Sequence, residues 1–182
     1  SRDDVLRPHN YPRENPGRGL AIIRRSDFSV AVINLQGRVF MPPNDCPFEM
    51  VDELIAQVKD KADLILVDLH AEATSEKMCF GHFVDGRASL VVGTHTHQPT
   101  ADHQILNGGT GYLSDAGMCG DYDSSLGMDK EEPLNRFTAK VPKGRFEAAS
   151  GPATICGVGL EISDRTGLCE KIAPLRLGPR LE

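Results

Sequence analysis

The segment LVVGTHTHQPTAD, residues 90–102, decides the fold and the chemistry expected of this chain. Its apolar start predicts a buried strand that ends at Gly93. His95 and His97 follow, and in an extended chain such alternate side chains share one face. Pro99 prevents further strand pairing. The two histidines are therefore expected on one side of a loop at a strand end.

A histidine pair at this position is chemically suited to bind a transition metal. Neutral imidazole is a ligand for zinc, iron, nickel and copper. Taken alone, a His-x-His motif is explained equally well by two histidines in an ordinary polar loop. A similar stretch upstream favours the metal site.

That stretch is DLILVDLHAEATSEK, residues 63–77. Its continuous apolar run predicts a second strand, covered on both faces, with His70 at its carboxyl end. His70 and His95 are 25 positions apart, which leaves room for a helix between two neighbouring parallel strands. Open α/β sheets have their sites at the carboxyl edge of the strands, so we expect the histidines to converge there.

Three carboxylates are expected near the same edge. Asp68 and Glu72 flank His70 and could bind the metal or hydrogen-bond to its ligands. Asp115 follows the strand-like segment GTGYLS and could reach the edge as well. For Asp115, capping of a turn is an equally good explanation.

The rest of the chain completes an α/β pattern. Apolar periodicity predicts a helix over residues 47–61, and a second helix is expected over residues 75–83. Asp129 and Glu132 predict a capping box that begins a third helix, which ends near residue 138. Strands are predicted over residues 20–23, 28–35, 63–69, 88–92, 105–106, 110–113, 153–162 and 168–177.

Composition bounds the function classes. A length of 182 residues suits one domain over residues 1–182. The net charge of −6 gives no basic patch, which argues against nucleic acid and anionic membranes as partners. No apolar run approaches the roughly 18 residues of a transmembrane helix. The 5 scattered cysteines lack a CxxC pair, which indicates reduced thiols and a cytoplasmic protein.

Four motifs together resemble the YmdB-type metallophosphoesterases, bacterial relatives of the calcineurin-like phosphoesterases. They are LHAEATSEK (69–77), DGR (85–87), VVGTHTHQPTAD (91–102) and SDAGMCGDYDSSLGMD (114–129). VINLQGRVFMPP (32–43) and the closing hairpin fit the same family. The resemblance implies a sandwich of two β-sheets flanked by helices. It also implies a hydrolase that cleaves cyclic nucleotides or other small phosphodiesters at a two-metal centre.

By this resemblance, His70 and His95 are ligands of one metal and His97 is a ligand of the other. The expected ions are manganese, iron or zinc. Two neighbouring cations lower the pKa of a bridging water, orient the phosphate and offset charge on the attacking and leaving oxygens.

The chain departs from the family pattern in one respect. Similar proteins begin with Gly-Asp, Gly-Glu-Asn and Gly-Asn-His motifs, which supply carboxylate and asparagine ligands and a histidine that protonates the leaving group. Here Gly120-Asp121 is the only Gly-Asp, and it lies after the histidine pair. The chain is therefore expected to correspond to the C-terminal two-thirds of the family, without the first βαβ layers. No catalytic residue is identified in it, and activity of the chain alone stays open.

Two alternatives remain. The first is a non-catalytic module of this fold that binds one metal or a partner, with homo-oligomerisation covering the sheet surface left by the missing strands. The second is a metal-dependent amidohydrolase, which ranks last because that fold has its His-x-His early in a barrel of about 250 residues.

Overall fold

The computed structural model describes residues 4–181, in which a six-stranded sheet is the main element. Its spatial strand order is β1-β2-β3-β4-β6-β5. The strands of this sheet are β1 (Leu20–Arg24), β2 (Ser29–Gln36), β3 (Leu64–His70), β4 (Leu90–Thr94), β5 (Gln104–Ile105) and β6 (Gly111–Leu113). A two-stranded sheet is formed by β7 (Ile155–Ile162) and β8 (Cys169–Leu177).

The centre of the large sheet is parallel. β2, β3, β4 and β6 run in one direction, and β1 and β5 pair antiparallel at the two edges. Helix α1 (Pro47–Val58) connects β2 to β3, and helix α2 (Thr74–Val84) connects β3 to β4. The predicted βαβ unit is confirmed, and His70 lies opposite Thr94 in the register of β3 and β4.

Both connecting helices cover the same face of the sheet. Alternate strand residues on this face, such as Ile33 and Val67, are fully buried. They belong to one apolar cluster with Val58 of α1 and Phe80 of α2. Phe80 also packs edge-on against Phe48, with ring centroids 5.3 Å apart. The apolar stripe that predicted α1 packs against this face.

The opposite face is covered in part by the β7–β8 hairpin. A Cβ on Gly111 of β6 would lie 3.1 Å from the Cys169 sulfur, which shows how closely the hairpin approaches. Towards the β1 edge the cover ends, and Ile23 and Phe28 are 45% and 47% exposed. The predicted α/β fold with two sheets and flanking helices is confirmed, and the second sheet has two strands among the described residues.

Helix α3 (Glu131–Ala139) corrects one prediction. The residue before it is Lys130, and no side chain caps the helix start, so the predicted capping box is wrong. Asp129 instead accepts a hydrogen bond from the Glu131 amide (2.9 Å). Glu132 turns forward along the helix, where it pairs with Arg136 at 2.7 Å and accepts hydrogen bonds from the amides of Lys143 (3.2 Å) and Gly144 (3.2 Å).

Two compositional expectations can be compared with the structure. Among the helices of residues 4–181, none has the length and apolar character needed to cross a membrane. All 5 cysteines are free thiols, and Cys156 and Cys169 are buried.

Candidate metal centre

Two of the predicted ligands meet at the carboxyl edge of the sheet. His70 is the last residue of β3, and His95 directly follows β4, so the parallel pairing of these strands brings their rings together. The ring centroids are 4.8 Å apart with the planes at 81°. His70 Nε2 lies 3.0 Å from His95 Nδ1.

The hydrogen bonds behind His70 assign its tautomer. The Thr94 hydroxyl donates its hydrogen to Asp68 (2.7 Å), so its oxygen can only accept from His70 Nδ1, 3.2 Å away. Asn34 donates to the other oxygen of Asp68 (2.7 Å). Nε2 of His70 therefore carries a lone pair. Burial and the neighbouring His95 lower the pKa of His70, which favours this neutral form.

The Glu72 carboxylate assigns the tautomer of His95 in the same way. Its Oε2 lies 2.9 Å from His95 Nε2, which must donate because a carboxylate only accepts. In a neutral His95 ring, Nδ1 then presents a lone pair to the lone pair of His70 Nε2. If neither nitrogen carries a proton, the two lone pairs repel at 3.0 Å, and either a proton, which gives an N–H···N hydrogen bond, or a metal ion between them removes this repulsion. For comparison, nitrogens bound to one zinc ion at about 2.0–2.1 Å are roughly 3.3 Å apart.

Asp68 also has a pKa shifted by its surroundings. Burial raises the pKa of this carboxyl, although hydrogen bonds from Thr94 and Asn34 act in the opposite direction. Both of its oxygens are occupied by these two partners. Asp68 therefore supports the orientation of His70 from behind.

His97 occupies a different position from the one predicted. Its Nδ1 donates to the Leu126 carbonyl (2.9 Å), which leaves Nε2 as the acceptor nitrogen on an exposed ring. The expectation of an extended histidine pair sharing one face is wrong, since φ is +117° at His95 and +67° at His97. Such angles cost residues other than glycine about 1–3 kcal/mol each and occur at functional sites.

Asp115 is the third carboxylate predicted at this edge, and it is 1% exposed. Its Oδ2 accepts hydrogen bonds from the Thr96 amide (2.9 Å) and hydroxyl (2.8 Å). Its Oδ1 accepts from the Gly117 amide (2.9 Å), so the predicted turn capping is also present. Lys77 Nζ completes the arrangement at 3.1 Å from Oδ2.

A family model described as YmdB-like protein matches residues 1–175 of the chain.

The chain belongs to the YmdB-like family.

Three similar proteins support the assignment. A 2′,3′-cyclic-nucleotide 2′-phosphodiesterase of Bacillus subtilis (strain 168) is 50% identical over 173 residues, which are 93% of this chain and 65% of that protein. A structure of a hypothetical protein from Thermus thermophilus has a TM-score of 0.87 at 42% identity and covers 97% and 68% of the two chains. A structure of a novel phosphatase from Mycoplasma pneumoniae has a TM-score of 0.86 at 32% identity, with coverage of 97% and 64%.

This YmdB-like chain thus spans slightly less than two-thirds of the Bacillus and Mycoplasma proteins. Its own donor set fits part of a metal site. His70 and His95 supply two facing nitrogens, and His97 supplies a third that lies apart from them. Within residues 4–181, no group of three or more histidine, cysteine, aspartate or glutamate side chains is arranged to hold a metal ion.

Lys77 was not recognised as a site residue from the sequence, although a signal was present. Positions 77, 80, 81 and 84 have helical spacing, and all four residues are buried in helix α2. A lysine on an otherwise apolar helix face requires a buried anion. Asp115, after a buried strand, was the available partner.

Proposed function

We propose that this YmdB-like chain contributes the histidine ligands of a metal-dependent phosphodiesterase that acts on cyclic nucleotides or similar small phosphodiesters. His70 and His95 would hold one divalent ion of the manganese, iron or zinc type, and His97 would be a ligand of a second. The close approach of His70 Nε2 and His95 Nδ1, 3.0 Å apart at the carboxyl edge of the sheet, carries this proposal. The name of the Bacillus relative supports the substrate class.

When bound, a pair of divalent ions would supply an acidified water and offset the charge of the phosphate. The chain's own residues orient the ligands. Glu72 holds the proton of His95 on Nε2, and Thr94 holds the proton of His70 on Nδ1, so both inner nitrogens stay available. The location we propose is the cytoplasm, where thiols stay reduced, and the free cysteines support it.

Metal titration tests the proposal. We expect isothermal titration calorimetry of the 182-residue chain to show weak binding of Zn²⁺ or Mn²⁺, and His95→Ala to abolish it. His82→Ala, which removes an exposed histidine of α2, is the matched control and should bind as the wild type does. Equal binding by His95→Ala and wild type would contradict the proposal.

Hydrolysis of bis(p-nitrophenyl) phosphate and 2′,3′-cyclic AMP tests the activity itself. We expect turnover near background for this chain alone, because neutral imidazoles do not compensate the charge of two cations. Mixing with the part of the Bacillus relative that lies outside the matched 65% should raise turnover. Metal binding with no hydrolysis under either condition would favour the second candidate.

That second candidate is a metal-binding module that self-associates without catalysis. The observation in its favour is the apolar sheet face beside β1, where Ile23 and Phe28 are about half exposed. Monomeric proteins rarely leave a contiguous apolar face uncovered. A concentration-dependent oligomer in sedimentation experiments, without any phosphodiester turnover, is the result this candidate requires.

A further inference from the structure

We infer that Asp115, with its charge balanced by Lys77, is a positioning residue that holds residues 95–97 in the conformation that presents His95 and His97. The inference rests on the proposed function only for its effect on metal affinity. The effect on the loop conformation can be measured without any metal.

The contacts converge on the residue between the two histidines. Thr96 offers its amide and its hydroxyl to the same oxygen of Asp115, at 2.9 and 2.8 Å. A single carboxylate oxygen thus fixes both the backbone and the side chain of Thr96. The Thr96 amide belongs to the peptide unit that joins His95 to Thr96, so this unit is held together with the residue that separates the two histidines.

The loop needs such a restraint. His95 and His97 both have positive φ, a region that residues other than glycine rarely occupy. Unrestrained, residues 95–97 would relax to an extended conformation, which would move both rings. At the far end of the loop, the His97 carbonyl accepts hydrogen bonds from the Met118 amide (3.0 Å) and the Tyr122 hydroxyl (3.2 Å). These bonds and the hydrogen bond from the ring to the Leu126 carbonyl hold His97 itself, and Asp115 holds the residue before it.

Asp115 is itself a rigid anchor. The amide of Ala116 donates to the carbonyl of Gly93 at the end of β4 (2.9 Å), and the amide of Asp115 donates to the Thr100 hydroxyl (3.0 Å). Lys77 approaches from α2, where its side chain is 2% exposed, and lies against Gly93. The Asp115 carboxylate is therefore held both by its own backbone and by Lys77, independently of its contacts with Thr96.

The geometry distinguishes this role from direct contact with the ligands. None of the hydrogen bonds of the Asp115 carboxylate in the described part of the chain goes to a histidine ring; they go to Thr96, Gly117 and Lys77. Asp115 thus acts on the histidines through the backbone of Thr96. Lys77 supplies the charge that allows an ionised carboxylate to remain buried there.

Thr96→Val tests the inference with a small change. The substitution keeps the side-chain volume and the amide hydrogen bond and removes the hydroxyl donor to Asp115. Thr138→Val is the matched control, since the Thr138 hydroxyl donates to carbonyls of its own helix α3. Val58→Ala, a fully buried core substitution in α1, controls for a general loss of stability.

The decisive measurement is the ¹⁵N–¹H correlation spectrum of the histidine rings in metal-free protein. We expect the wild type to show one set of ring resonances for each of His95 and His97, with the proton of His97 on Nδ1, and Thr96→Val to show a second set for both rings. Zn²⁺ affinity should fall by about tenfold in Thr96→Val, the lower range for residues that support a ligand. Both controls should keep the wild-type ring spectra.

Each other outcome has a defined meaning. Unchanged ring spectra in Thr96→Val overturn the inference, whatever the metal affinity. Equal changes in Val58→Ala also overturn it, because the effect then follows stability and not Asp115. If the wild type binds no Zn²⁺, the proposed function fails, and the ring spectra still decide whether Asp115 positions the loop.

Discussion

The buried ion pair between Lys77 and Asp115 provides the most demanding prediction. Both side chains are almost completely excluded from water, at 2% and 1% exposure, and the charged atoms are 3.1 Å apart. Removing one partner of a buried pair leaves an uncompensated charge, which costs about 3–5 kcal/mol. The two possible single substitutions should fall at different ends of that range.

Lys77→Met leaves Asp115 with three donors: the Thr96 amide, the Thr96 hydroxyl and the Gly117 amide. We therefore expect a loss of about 3 kcal/mol, the lower limit for an unpaired buried charge. Asp115→Asn should cost about 5 kcal/mol. The Lys77 ammonium is then buried without an anion, and the asparagine NH2 group, itself a donor, lies among hydrogen-bond donors. The double variant should lose less than the sum of the two, by roughly 0.5–3 kcal/mol of coupling.

Urea unfolding followed by circular dichroism measures these free energies of unfolding. For a chain of this size, a loss of about 3 kcal/mol lowers Tm by roughly 6–12 °C. Arg87→Met provides the matched control, because Arg87 pairs with Asp52 at the surface and such pairs contribute about 0–1 kcal/mol. A loss below about 1 kcal/mol in Lys77→Met, or strict additivity in the double variant, would refute the buried-pair reasoning.

Three further predictions concern other parts of the fold. Gly93→Ala should destabilise the chain by about 3 kcal/mol or more in urea unfolding, because a Cβ there would overlap the Ser114 carbonyl; Gly144→Ala, which has open space, should not. Hydrogen bonds from the Ser29 hydroxyl and amide lower the pKa of Asp63. The contribution of Asp63 to stability is therefore present above its pKa in the unfolded chain, about 3.9, and is lost as the pH falls through its lower pKa in the folded chain. Ser29→Ala should therefore flatten the stability curve between about pH 5 and pH 2, and an unchanged curve would contradict this assignment. Ile23→Lys should abolish concentration-dependent association in analytical ultracentrifugation if the uncovered sheet face mediates it, and a monomeric wild type would exclude that role.

The central strands could be predicted because burial leaves a direct trace in the sequence. The apolar runs before His70 and His95 correspond to β3 and β4. β4 is buried on both faces, whereas β3 alternates buried and partly exposed residues, so the predicted cover on both faces is wrong for β3. A helix between two consecutive strands is typical of parallel pairing, and the parallel pairing of β3 and β4 places both histidines at one edge of the sheet. The convergence of His70 and His95 therefore followed from simple patterns.

The details of the loop could not be predicted in this way. His95 and His97 have positive φ, and Thr96 between them is bound by Asp115, which is about 20 positions later in the chain and reaches Thr96 only through tertiary packing. No local propensity indicates such a restraint. The error at α3 has a similar origin, since Glu132 binds Arg136 and also the amides of Lys143 and Gly144, which follow the helix.

The parts of the candidate site are far apart along the chain, which has a consequence for folding. His70 and His95 are separated by 25 positions, and Lys77 and Asp115 by 38. Contacts of this kind form late, because closing long loops costs entropy before the contacts can compensate. An unfolded chain therefore has no preassembled pair of nitrogens. An ion that binds only the folded chain would add about 2.7 kcal/mol to its stability at a free concentration of about 100 times Kd, which couples metal supply to the lifetime of the whole fold.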